Sequence, residues 1–467
     1  MLYLACVKNR REIIRVSKVK LSQDESLSFK INYQLLPKET NQLDLYFSIP
    51  IDMGINANTL NEVDYFNANI KCHSAYYSEQ LHLPLVRSRF ISQSKGQKSD
   101  YRVNLNLFCY QIRIALDADV KQTLKLKQAE EFYPAALELV EQSAKLLVKL
   151  RRYTPPDNRL KSYFQNADNY LSWHTEQAFL KLLARGPKSS EFSKERGEVI
   201  DFCKQENLYR EKQSYNSQVT LEDPNRITNK MRLLERLIEY GVVFNKETTN
   251  LGANLKRLAR GAVTAVIMAF VMYLVLNARS NFEEITVALI ALLGVIYGLR
   301  ETFKDDLTQW AWRKVQKGRP KWRNKFKNSV NDETVCTQTI WLEHIKKKDI
   351  PEDVDKLLKK RGRQNRQEAN LLHFSCKNQV QIDEFLPGYE EVQQRITFNM
   401  SSFVRYLKKG AGKLYSLEGH KVSKNSVERR YQINLVMRFK SGEDSQLERY
   451  KLTMNRSEIV AIEQMKD

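Results

Sequence analysis

Two apolar runs near the middle of the chain dominate its pattern of hydrophobic and polar positions. Residues 261–278 (GAVTAVIMAFVMYLVLNA) contain no charged side chain, and neither do residues 285–299 (ITVALIALLGVIYGL). A helix over the first run is about 27 Å long, close to the roughly 30 Å hydrocarbon core of a bilayer. The second run is about 22 Å long and spans only if Arg300 snorkels outward and the helix begins near Phe282. The pattern predicts a two-helix transmembrane hairpin over residues 258–300.

The alternative is a buried helical hairpin inside a large soluble domain, because runs shorter than about 18 residues are ambiguous by length alone. Residues 280–283 (SNFE) have the spacing of a capping box, which predicts a tight turn between the two helices. The loop carries only Arg279 against Glu283 and Glu284, whereas basic residues flank both runs on their outer sides. Positive residues stay in the cytoplasm, so we expect both flanking regions there, in a multi-pass protein of the bacterial inner membrane. The flanking basic residues are Lys256, Arg257, Arg260, Arg300, Lys304, Arg313 and Lys314.

Small residues recur at helical spacing on both runs. Gly261, Ala265 and Ala269 form a ridge on the first run, and Gly294 with Gly298 forms a GxxxG pair on the second. In lipid such ridges let helix backbones approach closely. Two partners fit the second ridge, namely the first helix of the same chain or a second copy of the protein. A homo-oligomer is therefore one of two open alternatives.

The residues before the hairpin divide into a strand-rich part and a helical part. In residues 1–118, alternation predicts strands over Leu27–Leu36, Leu43–Ile49 and Tyr101–Leu116, with a loop-rich stretch over residues 56–100. From residue 119 to 257 the period is helical, and the pattern predicts a small antiparallel bundle. Its predicted helices end near Tyr153 and Gly186, occupy Glu191–Lys212, and begin again at Asp223-Pro224.

The residues after the hairpin give a helical segment and then strands. The second hairpin helix is expected to continue to the break at residues 318–320, within a basic helical segment over residues 301–372 that includes short helices at Gln338–Lys347 and Pro351–Leu372. The pattern of residues 373–467 predicts an antiparallel meander, with strands at Glu428–Phe439, Leu447–Met454 and Ile459–Ile462.

Together these patterns predict an α+β multidomain membrane protein. A two-helix transmembrane hairpin lies between a strand-rich plus helical-bundle N-terminal cytosolic part and a helical plus antiparallel-β C-terminal cytosolic part. With 467 residues, of which 42% are hydrophobic, the chain is large enough to bury packed cores. Its six cysteines show no CxxC spacing, as expected of reduced cytosolic thiols.

A formal net charge of +21 favours an anionic partner, either phospholipid headgroups or nucleic acid. One basic cluster interleaved with indole rings directly follows the second apolar run, a position typical of headgroup binding at the membrane interface. Such a cluster also enforces topology whatever its function. Its members are Trp310, Trp312, Arg313, Lys314, Lys317, Arg319, Lys321, Trp322, Arg323, Lys325 and Lys327.

A second basic run lies farther from the membrane, where attraction to lipid fades within a Debye length of about 8 Å. It favours nucleic acid more than the first cluster does, although a solvated helix end is the commonest role of such a run. Its cations are Lys359, Lys360, Arg361, Arg363 and Arg366.

Catalytic motifs of the types GxSxG, HExxH and GxGxxG are absent from the sequence. The close pairs Cys72-His73 and His373/Cys376 are far apart in sequence, so neither metal ligands nor cofactor-binding residues are assigned. We therefore expect a membrane-anchored cytosolic protein for protein interaction or sensing. The second hypothesis is a membrane-tethered nucleic-acid-binding protein, and the third is an enzyme of unfamiliar type.

Overall fold

The computed structural model describes residues 19–77, 83, 98–152, 154, 155, 157–280, 287–316, 318–359, 369–385, 389–407, 411–418, 421–442 and 444–465. Within them it combines helices with antiparallel sheets, so the α+β class expected from the sequence is confirmed. The strands are β1 Lys20–Gln23, β2 Ser28–Leu35, β3 Thr40–Pro50, β4 Ile70–Tyr77, β5 Asn245–Asn250, β6 Trp322–Lys327, β7 Thr334–Ile345, β8 Ala369–Val380, β9 Glu391–Asn399, β10 Ala411–Glu418, β11 Lys421–Glu428, β12 Tyr431–Ser441, β13 Asp444–Met454 and β14 Ile459–Met465. The helices are α1 Glu62–Asn69, α2 Lys98–Thr123, α3 Ala129–Arg151, α4 Asn158–Arg185, α5 Ser193–Lys212, α6 Gln218–Glu222, α7 Pro224–Glu239, α8 Ala253–Ser280, α9 Val287–Gln316, α10 Glu352–Lys359 and α11 Ser401–Val404.

The larger sheet has eight strands in the order β14-β13-β12-β3-β8-β7-β6-β5, and each described pairing is antiparallel. Strand β3, from the N-terminal part, lies between β8 and β12, from the C-terminal part. Its near-continuous apolar run (LDLYFSI) suits this central position, because every side chain from Leu43 to Ile49 is buried. The sheet thus joins strands from both sides of the helical hairpin.

A smaller sheet of four strands, in the order β1-β2-β9-β4, packs face to face with the larger one. Aromatic rings fill the space between them. Phe29 of β2 lies 6.3 Å from Phe47 of β3, and Phe398 of β9 meets Phe374 of β8 edge to face at 5.0 Å. All four rings are at most 1% exposed, so the sandwich has a dry aromatic core.

The helical body confirms four predicted helix boundaries. Helix α3 ends at Arg151, α4 ends before Gly186, and α5 covers Ser193–Lys212. Helix α7 begins at Pro224, where the Asp223 side chain accepts hydrogen bonds from two backbone amides of the first turn.

A buried polar network ties three of these helices together. Arg151 donates to Asp168 at 3.0 Å and to both carboxylate oxygens of Glu206, and the Tyr209 and Tyr215 hydroxyls each donate to Asp168 at 2.8 Å. Since each carboxylate is paired, we interpret the network as structural.

The predicted strand Tyr101–Leu116 is wrong, because these residues lie inside helix α2. The alternation of Val103, Leu105 and Leu107 suggested a strand. The fully buried positions instead follow a helical spacing, at Leu105, Cys109, Ile112 and Leu116. The predicted loop over residues 56–100 also contains two elements, α1 and β4. Packing against α4 and α7 therefore overrides the local alternation.

Most of the C-terminal meander is confirmed, but the basic segment before it is not helical throughout. Strands β12 and β13 form a hairpin, and β14 pairs with β13. The predicted helix Gln338–Lys347 is instead strand β7, in which Gln338, Ile340 and Leu342 are fully buried at alternate positions. The predicted helix Pro351–Leu372 is confirmed only over α10, since β8 begins at Ala369.

Candidate membrane anchor

Helices α8 and α9 form an apolar hairpin whose outer surface is exposed. Among the described residues, α8 is the one helix long and apolar enough to cross a membrane by length and composition, over Leu255–Asn277. Only 6% of its most apolar 18-residue window is buried. Val266 is 70% exposed and Phe270 is 61% exposed, and on α9 the exposed fraction of Ile290 is 60%. A core helix of a soluble domain would be buried, so this observation argues against the soluble alternative.

The two helices contact each other along a stripe of α8 that contains Thr264, Ile267 and Leu274, with Val271 the most buried of the span at 5% exposed. This stripe has the i, i+3, i+7 spacing of one helix face. Residues 281–286 lie outside the described residues. The predicted capping box at 280–283 is therefore described only at Ser280, which ends α8.

The predicted small-residue ridge does not form the contact between the two helices. A Cβ atom added at Gly261, Gly294 or Gly298 would meet nothing within 4 Å. Ala265 and Ala269 are exposed as well. The larger side chains of the α8 stripe hold the hairpin together, and the small residues lie on its outer surface.

The base of the hairpin continues directly into the larger sheet. Strand β5 precedes α8 and strand β6 follows α9, and the two pair from Asn245↔Lys327 to Asn250↔Trp322. Beyond the ladder, the Leu251 amide donates to the Lys321 carbonyl at 3.0 Å. The Trp312 ring packs over Gly252 so closely that an added Cβ would lie 3.1 Å from it. Both helices therefore leave the body together, at the edge of the sheet.

Two members of the predicted headgroup cluster, Lys321 and Trp322, lie inside the body. The Lys321 side chain is 8% exposed; its ammonium donates to Glu62 and, at 2.6 Å, to the Leu342 carbonyl. Trp322 is 2% exposed and stacks on Phe66 of α1 at 3.9 Å. Alternation along β6 causes this, because every second side chain of KWRNKFK faces the core. These two residues therefore leave the headgroup set.

The remaining members of the cluster divide by position. Arg323 and Lys325 project from the outer face of β6 and are exposed, and so is Arg319. Lys327 is held by Glu247 at 2.8 Å, and this hydrogen bond raises the pKa of its ammonium. Trp312 is half-buried against the chain.

On α9 the Lys314 ammonium lies 4.4 Å from the centre of the exposed Trp310 ring. Lys317 and the side chain of Arg313 lie outside the described residues. The structure thus leaves Trp310, Lys314, Arg319, Arg323 and Lys325 as the described surface of the cluster.

A ladder of buried side chains runs from the base of the anchor into the sandwich. Thr248 of β5 donates to Asn324 at 2.8 Å, Asn324 to Gln338 at 2.8 Å, and Gln338 to Asn378 at 3.0 Å. Asn378 in turn donates to Tyr33 of the smaller sheet at 2.8 Å. The three linking amides are 0% exposed. Sequence analysis missed this ladder, because isolated amides in short strands give no local signal of their partners.

The polar groups elsewhere do not gather into a metal site among the described residues. His373 faces Asp44 at 3.4 Å, whereas Cys376 faces Tyr33 inside the sandwich at 3.8 Å. Residues three apart on a strand point to opposite faces, which separates this His/Cys pair. Burial raises the pKa of the Cys72 thiol to about 12, so it is not a reactive thiolate at neutral pH.

Asp44 is the most strongly perturbed carboxyl of the described residues. Burial alone would raise its pKa, but hydrogen bonds from His373, Ser375 and Gln42 lower the pKa well below the ordinary value. Arg438 adds two hydrogen bonds, at 3.0 and 3.2 Å. A carboxylate held this firmly in its charged form suits a structural ion pair better than proton transfer.

The second basic run falls mostly outside the described residues. Helix α10 ends at Lys359, whose side chain is not described, and β8 begins at Ala369. Lys360, Arg361, Arg363 and Arg366 lie between them, so the nucleic-acid hypothesis stays a prediction.

Comparison of this chain with models of protein families, with curated proteins and with solved structures gives no match in any of the three.

Proposed function

We propose that this chain is a membrane-anchored protein whose α8–α9 hairpin crosses the bilayer and returns. Its sandwich and helical body then form a cytosolic module for protein interaction or sensing. The observation that carries the proposal is the contrast in burial within one chain. The apolar span of α8 is almost wholly exposed, whereas aromatic residues of the sandwich such as Phe374 are 0% exposed. An apolar surface of this size needs a partner, and for a span of this length a bilayer fits.

The β5–β6 ladder supports two crossings over one. If the chain crossed once, β5 and β6 would lie on opposite sides of the membrane and could not pair. Their backbone hydrogen bonds require residues 245–250 and 322–327 to share one side. An even number of crossings satisfies this, and a two-helix hairpin is the smallest such arrangement.

The cytoplasmic side follows from charge. Lys256, Arg257 and Arg260 precede the first apolar run, and Arg300 and Lys304 follow the second. Because the positive ends of spanning segments stay inside, this arrangement favours a body in the cytoplasm and a loop outside. A large cytosolic body around a short hairpin is a shape known among bacterial inner-membrane proteins, and the inner membrane is the location that we propose.

The second helix is shorter in apolar length, and two features help it to span. Its described apolar part runs from Val287 to Leu299, about 20 Å at the α-helical rise. Arg300 follows, and its guanidinium lies 5.8 Å from the centre of the Tyr297 ring. A long side chain of this kind at the helix end can reach the headgroup level.

An interaction or sensing role is supported over catalysis by the character of the surface. The largest described cavity, about 500 Å³, is open and polar, with Asn328, Glu333 and Asp383 in its wall. None of the described carboxylates has a raised pKa that would suit a general acid. The amide ladder gives the anchor a rigid connection to the sandwich, as a membrane-tethered module requires.

Alkaline carbonate extraction of membranes tests the anchor. The wild-type chain should stay in the membrane pellet. Val266→Asp with Phe270→Asp should release it, because each carboxylate at mid-span costs about 2.5–3.5 kcal/mol. Gln432→Asp with Ser445→Asp places the same charges on exposed positions of the body and should leave the protein in the pellet. Full extraction of the wild-type chain by carbonate would overturn the proposal.

A further inference from the structure

The β10–β11 ribbon carries apolar side chains in open solvent. Its strands pair with each other over eight positions, and neither pairs with another strand of the described chain. Leu417 is 73% exposed and its cross-strand neighbour Val422 is 68% exposed. On the same face, Tyr415 is 62% exposed opposite Lys424. An isolated two-stranded ribbon is marginally stable in water, so this one requires a partner.

The root of the ribbon and the base of the hairpin are held by neighbouring residues of one short helix. Phe66 of α1 stacks on Trp322, the first residue of the strand that follows the hairpin. Tyr65 of α1 meets Phe403 of α11 edge to face at 5.3 Å, shortly before the ribbon begins. Helix α1 is only about 12 Å long. The hairpin and the ribbon therefore leave the body side by side.

Strand direction gives the same result independently. The carboxyl end of β5, at Asn250, leads into the hairpin, and the amino end of β12, at Tyr431, follows the ribbon. Five antiparallel pairings connect β5 to β12 through β6, β7, β8 and β3. Since direction reverses at each step, those two strand ends lie at the same end of the sheet. The opposite end holds the β12–β13 turn.

The charge of the ribbon region is positive. Residues 405–430 contain eight lysines and arginines against two glutamates. Lys413 and Lys424 of the ribbon are exposed, as is Arg430 at its root. A cation at an anionic bilayer surface raises the affinity about fivefold. This surface therefore complements acidic phospholipid headgroups.

We propose that the β10–β11 ribbon is a second contact with the bilayer, in which Leu417 and Val422 enter the headgroup region and the lysines hold anionic phospholipid headgroups. The inference rests on the proposed function, because the hairpin is what places the bilayer beside the ribbon. Apolar side chains on both faces favour lipid over a second chain. Leu414, 58% exposed, lies on the face opposite Leu417. A protein sheet would cover one face, whereas the bilayer interface surrounds both.

Fluorescence quenching by lipid tests this contact in the full chain. The protein is reconstituted into vesicles of phosphatidylglycerol and phosphatidylcholine whose acyl chains carry bromine. The described native cysteines are buried, and Cys6 is replaced by Ser. A single environment-sensitive label is then placed by Leu417→Cys on the ribbon, Ser445→Cys at the opposite end of the sheet, or Val266→Cys on the hairpin. Quenching is expected at 417 and 266 and not at 445.

The charge requirement has a matched control. Gln in place of Lys413, Lys421 and Lys424 should reduce quenching at 417, with the bound fraction falling as the ratio of bound to free ribbon drops about fivefold per lysine. Gln in place of Lys377 and Lys440, which are exposed on other strands, should leave it unchanged.

Three outcomes distinguish the inference from the function on which it rests. Quenching at 266 without quenching at 417 overturns the ribbon contact and leaves the anchor intact. Absence of quenching at 266 overturns the anchor itself. Labels at 417 that quench each other at low lipid-to-protein ratio, without bromine quenching, overturn the inference in favour of contact between copies of the chain.

Discussion

Phe66 of α1 and Trp322 of β6 stack with ring centroids 3.9 Å apart and ring planes 18° apart, directly beside the base of the hairpin. Both rings are almost fully buried. This stack joins the strand that receives the hairpin to the helix that also supports the ribbon.

Phe66→Ala should lower the free energy of unfolding by about 3–5 kcal/mol, because it removes a buried ring and leaves a cavity beside Trp322. Denaturant unfolding of the detergent-solubilised chain, followed by near-UV circular dichroism, measures the loss. Val63→Ala, at a position 38% exposed on the same helix, is the control and should change stability little. Equal stability of Phe66→Ala and the wild-type chain would contradict the stacked geometry.

Topology gives a second prediction, because the β5–β6 ladder puts both flanks on one side. A thiol introduced by Ser280→Cys should react with a membrane-impermeant reagent added to intact cells. A thiol introduced by Ser445→Cys should react only after lysis. Reaction of the second thiol in intact cells would exclude a cytoplasmic body.

The exposed glycines of α9 predict self-association through the membrane. Gly294→Leu with Gly298→Leu adds bulk where an added Cβ meets nothing within the chain, so the monomer should tolerate it. A second copy that packs on this face would be pushed away, and the mass of the detergent-solubilised particle should fall. Val295→Leu, at an exposed position between them, is the control. An unchanged mass would leave the glycines without a role in assembly.

The exposed cations of β6 separate lipid from nucleic acid. Arg323→Gln with Lys325→Gln should weaken binding of the body to anionic vesicles about fivefold per cation and leave neutral vesicles unaffected. The variants are compared in a chain without residues 254–315, so that the hairpin does not dominate binding. Nucleic-acid affinity is measured on the same chain against salt, with Lys359 to Arg366 neutralised in parallel. A salt slope that falls by nearly one unit for each phosphate that no longer binds a cation would favour nucleic acid at the second run. Affinity no greater than that of a scrambled peptide of equal charge would remove that hypothesis.

A fragment of residues 301–467 would not serve this purpose. It would lack β3, which lies between β8 and β12, and β5, which covers the edge of β6. The larger sheet would be divided, so any change in binding would report misfolding.

Asp44 gives the prediction for pH. Its carboxyl is 1% exposed and its pKa is lowered in the folded state. The stabilisation is therefore complete above the unfolded pKa of about 3.9, and it is lost as the pH falls through the folded pKa. Asp44→Asn should destabilise the protein by about 3–5 kcal/mol at neutral pH, because Arg438 loses its buried partner. The difference from wild type, measured by thermal unfolding, should stay constant down to about pH 5 and shrink below pH 4. A difference that grows on acidification would contradict the assignment.

Local pattern was sufficient where one face of an element is buried and its boundaries carry strong signals. The β12–β13 hairpin, the start of α7 at Asp223-Pro224 and the extension of α9 to Gln316 were all predictable for this reason. The apolar runs of the hairpin were predictable from composition alone.

Local pattern failed where partners distant in sequence decide the structure. Gln338 looked helical because its strand carries polar residues, yet the amides of Asn324 and Asn378 satisfy it across two neighbouring strands. Lys321 looked like a surface cation, and only the tertiary position of Glu62 shows that it is buried and paired. No window of sequence contains these partners.

The central position of β3 has a consequence for synthesis of the protein. Both of its neighbours, β8 and β12, are translated after the hairpin. At rates of about 5–20 residues per second, β3 waits about 20–80 s between its own synthesis and that of β12. During this interval an apolar strand destined for the core has two open edges. Insertion of the hairpin during this interval would bring the ribosome to the membrane before the sandwich can close. We therefore expect chaperone dependence for the N-terminal part of the nascent chain, and a slow folding step that depends on sequence separation more than on stability.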